Sequence, residues 1–301
     1  MRVLITGAGG QLGRELQRTA PAGAVLAAPT HAELDITDAA AVRRYCAEFD
    51  PEWIVNAAAY TAVDRAESEA SQAYVVNAEA VRHLAEAAQA QGARLAQVST
   101  DFVFDGAQGR PYRPDDAPHP LGVYGASKLA GERAAAEVLG ERALIVRTAW
   151  VYAAQGHNFM RTMLRLMRER DRLGVVADQI GTPTSARGLA EALWAMLAAG
   201  LSGIQHWTDA GVASWYDFAL AIRDEALALG LLERAVPVAP LTTAEYPTPA
   251  PRAPFTVLDK SATWSALGRP ALHWREALRA VLGELAEQAG AVSRNAMNTA
   301  D

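Results

Sequence analysis

The sequence predicts an α/β fold in which a doubly wound parallel sheet carries a second, smaller mixed α/β lobe. Short runs rich in β-branched residues alternate with longer helical patterns in the first half of the chain, which is typical of βαβ units. A glycine-rich turn stands between the first of these runs and the helical pattern that follows it. The chain has 301 residues, of which 50% are hydrophobic and 21% charged, so it is long and apolar enough to bury a sizeable core.

The first half is predicted to contain five strands joined by four helical crossovers. Each predicted helix carries Leu, Val or Ala at spacings of three and four residues, which places these side chains on one face. Five parallel strands connected in this way form a Rossmann-like sheet. The predicted strands are residues 2–6, 25–28, 53–56, 94–99 and 143–147, and the predicted helices are residues 12–19, 39–49, 72–91 and 127–139.

After residue 148 the pattern loosens, and we expect a smaller lobe that binds the substrate. Four prolines within residues 105–122 and six within residues 237–254 predict irregular segments there. We therefore divide the chain into residues 1–148, residues 149–288 and a flexible C-terminal tail, residues 289–301. The elements predicted for the second lobe are helices at 159–170, 187–199, 214–229 and 274–288 and strands at 173–177 and 255–258.

Charge and hydropathy exclude several classes of protein. The net charge is −6, with 28 basic against 34 acidic residues, so no dominant basic face is available for a nucleic acid. The longest apolar run, residues 192–201, is about half of the roughly 20 residues that cross a bilayer. The first residues lack the apolar stretch of a signal peptide, so we expect a cytoplasmic protein. The single cysteine, Cys46, is interpreted as a small core residue.

The glycine-rich turn predicts a dinucleotide-binding site. Gly7, Gly10 and Gly13 follow the pattern Gly-x-x-Gly-x-x-Gly directly after the first predicted strand. Glycines here permit a tight turn and bring backbone N–H groups and the positive end of a helix dipole close to a pyrophosphate. Small residues after the second and third strands leave room for an adenosine at the same sheet edge. The candidate cofactor-binding residues are Gly7, Gly10, Gln11, Leu12, Gly13, Asp35, Ile36, Ala57, Ala58, Ala59, Tyr124 and Lys128.

The end of the second predicted strand favours NADPH over NADH. An NAD-dependent fold of this kind places an acidic residue there to bind the ribose 2′-hydroxyl. In this chain the sequence from Ala27 to His31 contains no carboxylate, and no arginine stands there to bind a 2′-phosphate either. We expect NADPH as the preferred cofactor, with NADH possible.

Three further residues form a candidate catalytic set. Tyr124 and Lys128 are four residues apart, so on a helix they share one face. A neighbouring ammonium favours the phenolate and is expected to lower the pKa of Tyr124. Such a pair can give a proton to a ketone oxygen as a hydride arrives, and Thr100 at the end of the fourth strand can orient that oxygen.

With these motifs the chain resembles the extended short-chain dehydrogenase/reductases. That family combines Gly-x-x-Gly-x-x-Gly near the N-terminus with a Ser or Thr and a Tyr-x-x-x-Lys pair. The likeness runs from residue 1 to about residue 285 and is strongest for members that reduce nucleotide 4-keto-6-deoxy sugars. The matching stretches are residues 10–13, 55–64, 99–106, 123–132, 147–152, 158–159, 178–184 and 246–250.

The resemblance implies a reaction and a set of substrate contacts. Hydride from the nicotinamide would reduce the C4 ketone of dTDP-4-dehydro-β-L-rhamnose, with Tyr124 as proton donor and Lys128 also holding the nicotinamide ribose. The only partner expected is this small-molecule nucleotide sugar. Trp150 has the alternative role of a core residue, because it follows a predicted strand. Asn158 and Arg252 have the alternative roles of a helix cap and a surface charge, and Ala253 stands where the family tends to have Pro after the Arg. The implied substrate-binding residues are Thr100, Asp101, Trp150, Asn158 and Arg252.

No metal site is expected. Some members of the family dimerise through a magnesium ion held by glutamates, and Glu15 matches one of those positions. At the position that matches a second glutamate, this chain has Arg187, a cation where a ligand should be. The oligomeric state expected from the sequence is therefore a monomer or a homodimer.

Other functions of the same fold remain as alternatives. A sugar-nucleotide dehydratase needs an extra carboxylic acid beside the strand-end aspartate, and here Asp101 is followed by Phe102. Epimerases share the tyrosine and the lysine, although the motifs of the second half match the reductases better. A reductase of another nucleotide 4-keto-6-deoxy sugar and a non-catalytic NADP-binding regulatory subunit are the two remaining alternatives.

Overall fold

A computed structural model describes the backbone of residues 1–298 and the side chains of residues 1–288. The last helix extends from Trp274 to Asn298, so it includes most of the segment predicted as a tail. Residues 299–301 of that predicted tail lie outside the described residues.

A six-stranded parallel sheet forms the centre of the first lobe. The strand order is β10-β5-β4-β3-β1-β2, and every neighbouring pair is parallel, which confirms the predicted doubly wound α/β fold. The strands in chain order are β1 (Arg2–Thr6), β2 (Val25–Ala27), β3 (Trp53–Asn56), β4 (Arg94–Thr100), β5 (Ala143–Thr148), β6 (Val151–Tyr152), β7 (Leu173–Val176), β8 (Ile180–Gly181), β9 (Thr184–Ser185), β10 (Gly203–His206), β11 (Ala213–Ser214) and β12 (Val238–Leu241).

Helices cover both faces of this sheet because successive strand residues point to opposite sides. Val3 and Ile5 pack with the helices of residues 11–18 and 186–198 on one face, and Leu4 packs with the helices of residues 39–49 and 80–91 on the other. The helices are α1 (Gln11–Arg18), α2 (Ala39–Phe49), α3 (Val63–Ala66), α4 (Ala70–Tyr74), α5 (Ala80–Gln91), α6 (Val123–Leu139), α7 (Phe159–Glu169), α8 (Ala186–Ala198), α9 (Trp215–Ala228), α10 (Ser261–Leu267) and α11 (Trp274–Asn298).

The second lobe has its own apolar core. Phe218 of α9 and Met160 of α7 are fully buried in it, and Trp274 at the start of α11 is nearly so. Three two-stranded pairings, β6 with β9, β7 with β12 and β8 with β11, connect these helices. The prediction of a smaller mixed lobe is thereby confirmed.

Two elements that follow residue 149 return to the first lobe. Strand β10 pairs with β5 as the sixth strand of the main sheet, and α8 packs on α1, where the Trp194 indole N–H donates to the Leu16 carbonyl at 3.1 Å. The sequence did not predict β10, because a four-residue strand that begins with glycine has little pattern to identify it. The two lobes are thus connected by several passages of the chain.

Helix α6 begins four residues earlier than predicted. The expected start was residue 127, whereas the structure begins the helix at Val123 and includes Tyr124 in its first turn. Gly125 weakened the helical pattern, but a Cβ at this position would lie 2.2 Å from the Phe102 carbonyl oxygen. The glycine is needed for close packing of α6, and this packing outweighs its low helix propensity.

Cys46 is fully buried on α2, as predicted, and burial raises the pKa of its thiol to about 11. None of the helices among residues 1–298 combines the length and apolarity that a membrane span requires.

Candidate active site

A cleft of about 980 Å³ opens at the carboxyl ends of β1, β3 and β4. The order of the sheet reverses between β1 and β3, and ligands of such sheets bind at this point. Both lobes contribute to the wall of the cleft. The predicted residues that line it are Gly7, Gly10, Gln11, Leu12, Ile36, Ala57, Ala58, Ala59, Thr100, Asp101, Tyr124, Lys128, Trp150 and Arg252.

The glycine turn is closed by contacts that leave no room for side chains. Gly7 has a φ of 71°, and a Cβ there would lie 2.5 Å from the Ala58 amide nitrogen. A Cβ at Gly13 would lie 2.2 Å from the Gly7 carbonyl oxygen, so Gly13 supports the turn from behind rather than lining the cleft. No side chain caps the first turn of α1, and Gly9 is open to the cleft. The turn therefore fits an anionic group such as a pyrophosphate.

Pro29, Thr30 and His31 line the cleft beyond the end of β2. The nearby Glu33 carboxylate accepts hydrogen bonds from the Thr30 amide at 2.7 Å and the Thr30 hydroxyl at 2.9 Å. Asp35 is not among the residues that line the cleft, and its carboxylate accepts two hydrogen bonds from Thr37.

The structure brings together the predicted catalytic set. Thr100 ends β4 and lines the same cleft as Tyr124. Lys128 lies one turn further along α6, where its ammonium donates to the Val98 carbonyl oxygen at 2.7 Å. All three residues line the cleft, so a ketone placed there meets a phenol, an alcohol and an ammonium.

The expected effect of Lys128 on the pKa of Tyr124 is absent in this structure. Burial raises the pKa of Tyr124 to about 12, and the neighbouring Thr100 side chain acts in the opposite direction. Burial also lowers the pKa of Lys128 to about 8, partly offset by the Glu132 charge. The ammonium is directed to a backbone carbonyl instead of the phenol. Tyr124 is consequently a neutral phenol at pH 7, the protonation state of a proton donor.

Asp101 lies in the floor of the cleft beside Thr100. Its carboxylate accepts hydrogen bonds from the Thr256 hydroxyl at 2.6 Å and the Thr100 hydroxyl at 3.1 Å. Burial raises the pKa of Asp101 to about 6, although these hydrogen bonds lower it. Asp101 thus links β4 to the second lobe through Thr256.

An aromatic wall closes the side of the cleft that faces the second lobe. Trp150 and Trp215 are stacked with ring centroids 3.5 Å apart and an interplanar angle of 10°. Trp150 has a φ of 47°, which is rare for a bulky residue. A Cβ at Gly181 would lie 2.7 Å from the Trp150 ring, so the glycine admits the indole. This packing determines the position of Trp150 from both sides.

Arg252 projects from the proline-rich segment to the same end of the cleft. Its guanidinium donates to Asp64 at 2.9 Å and lies 5.7 Å from the centre of the Phe102 ring. The Phe102 ring in turn packs edge-on against Tyr124, with centroids 5.4 Å apart. Arg252 is therefore a cation at the mouth of the site and not an isolated surface charge.

Asn158 lies beside the cleft and caps the N-terminus of helix α7. Its side chain accepts from the Arg161 amide at the start of α7, while its amide group donates to Gln11 at 2.7 Å. The residue joins the second lobe to the helix that follows the glycine turn.

Sequence reasoning missed several residues of the cleft wall, namely Phe102, Gly156, His157 and Trp215. The aromatic residues among them are equally typical of a core, and their position in the site depends on how the two lobes pack together.

Glu15 and Arg187 take part in ion pairs with neighbouring side chains. Arg18 donates to Glu15 at 2.6 Å, and Arg187 donates to Glu191 at 3.2 Å. Among the residues whose side chains are described, no group of three or more His, Cys, Asp or Glu residues could hold a metal ion.

Comparison with known proteins gives a consistent result over the whole fold. The model of the family described as RmlD substrate binding domain matches residues 1–287. The chain is 47% identical to a dTDP-4-dehydrorhamnose reductase of Streptomyces griseus over 96% of this chain and 95% of that protein. It is 45% identical to the dTDP-4-dehydrorhamnose reductase of Aggregatibacter actinomycetemcomitans over 92% of this chain and 97% of that protein.

A solved structure shares the fold closely. The crystal structure of a dTDP-4-dehydrorhamnose reductase from Bacillus anthracis, in complex with NADP, superposes with a TM-score of 0.89 at 37% identity. The match covers 94% of this chain and 99% of that one. The glycine turn, the Tyr-x-x-x-Lys helix and the second lobe all lie within the matched region of the family model. The chain therefore belongs to the RmlD substrate binding domain family.

Proposed function

We propose that this protein is a reductase that converts dTDP-4-dehydro-β-L-rhamnose to dTDP-β-L-rhamnose with NADPH, the last step of dTDP-L-rhamnose biosynthesis. The observation that carries the proposal is the meeting of Tyr124, Thr100 and Lys128 in one cleft of a chain that belongs to this family. Relatives that carry the name dTDP-4-dehydrorhamnose reductase and match almost the entire chain support the choice of substrate.

In this mechanism the chain orients the ketone and supplies a proton. Bound NADPH supplies the hydride that forms the new C–H bond at C4. As the carbonyl π electrons move onto oxygen, the Tyr124 hydroxyl transfers its proton to that oxygen, which leaves the alcohol and a phenolate. Thr100 hydrogen-bonds the reacting oxygens, and the positive charge of Lys128 stabilises the phenolate.

One end of the cleft suits the cofactor, and the other end suits the nucleotide-sugar substrate. The uncapped N–H groups at the start of α1 suit the cofactor pyrophosphate. At the other end, the Arg252 guanidinium suits a diphosphate, and the Trp150 indole offers an apolar face to a deoxy sugar. Asp101 is placed to bind a sugar hydroxyl.

The preference for NADPH is supported by the end of β2. His31 lines the cleft there, and the Glu33 carboxylate is already bound by Thr30. A ribose 2′-phosphate bound there would thus lie near the His31 imidazole, and the Glu33 carboxylate would be occupied by its hydrogen bonds with Thr30. We also propose that the protein acts in the cytoplasm, without a metal ion, as a monomer or homodimer.

The test is the oxidation of NADPH and of NADH at 340 nm, with dTDP-4-keto-6-deoxyglucose supplied together with its 3,5-epimerase. We expect oxidation with dTDP-rhamnose as the product and a higher kcat/KM for NADPH. NADPH binding without oxidation would overturn the proposed substrate and lead to other nucleotide 4-keto-6-deoxy sugars as the next substrates tested. Failure with all of these sugars would favour a non-catalytic regulatory subunit.

A further inference from the structure

Helix α6, which carries Tyr124, has no side chain of its own to cap its first turn. Its N-cap residue is Gly122, and the Val123 amide instead donates to Oε1 of Glu67 at 2.9 Å. A Cβ at Gly122 would lie 2.6 Å from that same oxygen, so the glycine makes room for the carboxylate. Glu67 directly follows α3 and thus holds the turn of α6 that presents the phenol.

A second carboxylate of the α3 segment binds the opposite wall of the site. Oδ1 of Asp64 accepts from the Arg252 guanidinium at 2.9 Å and from the Ala250 amide at 3.2 Å. The same guanidinium also donates to the Ala250 carbonyl at 3.0 Å, which closes a small ring of contacts. Asp64 thereby fixes the orientation of Arg252 and attaches the proline-rich segment to the first lobe.

These two sets of contacts adjoin each other. The Cβ position of Gly122 lies 3.5 Å from the Pro251 ring, next to Arg252. One short segment of the first lobe therefore touches both the helix that carries Tyr124 and the proline-rich segment that carries Arg252. Such an arrangement fixes the distance between the two groups that a nucleotide sugar has to span.

We propose that Asp64 and Glu67 are positioning residues of the reductase, Glu67 fixing the first turn of α6 beneath Tyr124 and Asp64 fixing Arg252. This inference rests on the proposed function and deepens it. Neither carboxylate is assigned a contact with the reacting atoms. Each acts through the residue that it holds, so the two should affect different kinetic constants.

The test compares alanine and amide variants at both positions in the full-length protein. For Glu67→Ala we expect kcat to fall roughly tenfold, the effect of about 1.4 kcal/mol of lost positioning, with the NADPH Kd unchanged. For Asp64→Ala we expect the KM of the nucleotide sugar to rise by a similar factor. Glu67→Gln and Asp64→Asn keep an oxygen acceptor and should recover most of the loss.

Glu69→Ala is the matched control from the same segment. Glu69 is bound by Tyr60 and Arg65 at 2.6 Å each, and among the described side chains it forms no hydrogen bond or ion pair with α6 or the proline-rich segment. It should leave kcat and KM within about twofold of the wild type, a difference of about 0.4 kcal/mol. Equal losses in all three alanine variants, or no rescue by the amides, would overturn the proposal.

A measurement without substrate separates this inference from the proposed function. In Glu67→Ala the Val123 amide loses its acceptor, so we expect its hydrogen exchange to accelerate roughly tenfold relative to the wild type and to Glu69→Ala. Unchanged exchange would overturn the positioning role of Glu67 even if the enzyme is active. If the wild-type protein does not reduce the sugar but exchange of the Val123 amide is still faster in Glu67→Ala, only the proposed substrate would be overturned.

Discussion

Tyr124 and Lys128 differ in how burial affects their protonation. Burial keeps the phenol protonated, with a pKa of about 12, and makes the ammonium easier to deprotonate, with a pKa of about 8. Near pH 7 the pair therefore consists of a neutral donor and a cation. This is the combination that a ketone reduction requires, because the proton moves to the substrate oxygen and the charge stabilises the remaining phenolate.

Replacing Tyr124 with Phe removes the proton donor and leaves the ring in place. We expect a loss of about 10²- to 10⁴-fold in rate, the usual contribution of a positioned general acid. Binding of NADPH, followed by the fluorescence of the reduced nicotinamide, should be nearly unchanged. Turnover close to that of the wild type would show that another group donates the proton.

The pH dependence of reduction should report Lys128. Its ammonium loses the proton as the pH rises through about 8, so kcat/KM should fall above that pH, while Tyr124 stays protonated. In Lys128→Arg the cation persists to much higher pH, and the falling limb should disappear even though the absolute rate is lower. If kcat/KM of this variant still falls near pH 8, the decrease is caused by a group other than Lys128.

The elements of the first lobe could be predicted closely because their apolar residues repeat with the period of each element. The start of α6 and strand β10 could not be predicted in the same way. Gly125 and Gly203 weaken the local patterns, and contacts with distant residues determine the structure at these points. The glycine turn and the Tyr124–Lys128 pair were likewise readable from local spacing, whereas Trp215 enters the site only through tertiary packing.

Helix α6 is joined to the sheet by a buried ion pair that was not predicted from the sequence. Glu132 and Arg147 are almost fully buried, with Arg147 donating to Glu132 at 2.7 and 3.0 Å and Ser99 donating to the same carboxylate. Glu132 lies one turn beyond Lys128 on α6, and Arg147 lies on β5. It therefore holds the catalytic helix in register with β4 and β5.

Removing one partner of this pair should destabilise the protein strongly. Arg147→Ala leaves the Glu132 carboxylate buried without its cation, and we expect a loss of about 3–5 kcal/mol in the free energy of unfolding. Arg82→Ala breaks an exposed ion pair between Arg82 of α5 and Glu137 of α6, and it should lower the free energy of unfolding by at most about 1 kcal/mol. Urea denaturation measures both, and similar losses in the two variants would contradict the assignment.

At the scale of the whole molecule, the two lobes are joined where the chain passes between them several times. Asp209 follows β10 of the first-lobe sheet and accepts from the Ser185 amide at 2.9 Å, at the start of α8. The next residue, Ala210, pairs with His273 before α11 of the second lobe. Asp209 is only 2% exposed, so its ionisation affects a junction on which both lobes depend.

The free energy of unfolding should fall as the pH rises through the range in which Asp209 titrates. Burial raises the pKa of Asp209 from 3.8 to about 7, although the Ser185 hydrogen bond and the Lys260 charge lower it. Between about pH 4 and 7 the folded chain keeps a proton that the unfolded chain has released, so the free energy of unfolding decreases with pH, by a few kcal/mol at most. Asp209→Asn keeps an acceptor for Ser185 without the charge, and we expect it to flatten the dependence of the free energy of unfolding on pH, measured by denaturation from pH 5 to 8.

Asp38→Asn is the control, because Asp38 caps a helix at an exposed position where backbone hydrogen bonds lower its pKa. It should leave the slope of the free energy of unfolding against pH as it is. A slope in Asp209→Asn equal to that of the wild type would mean that Asp209 is ionised at the junction throughout this range.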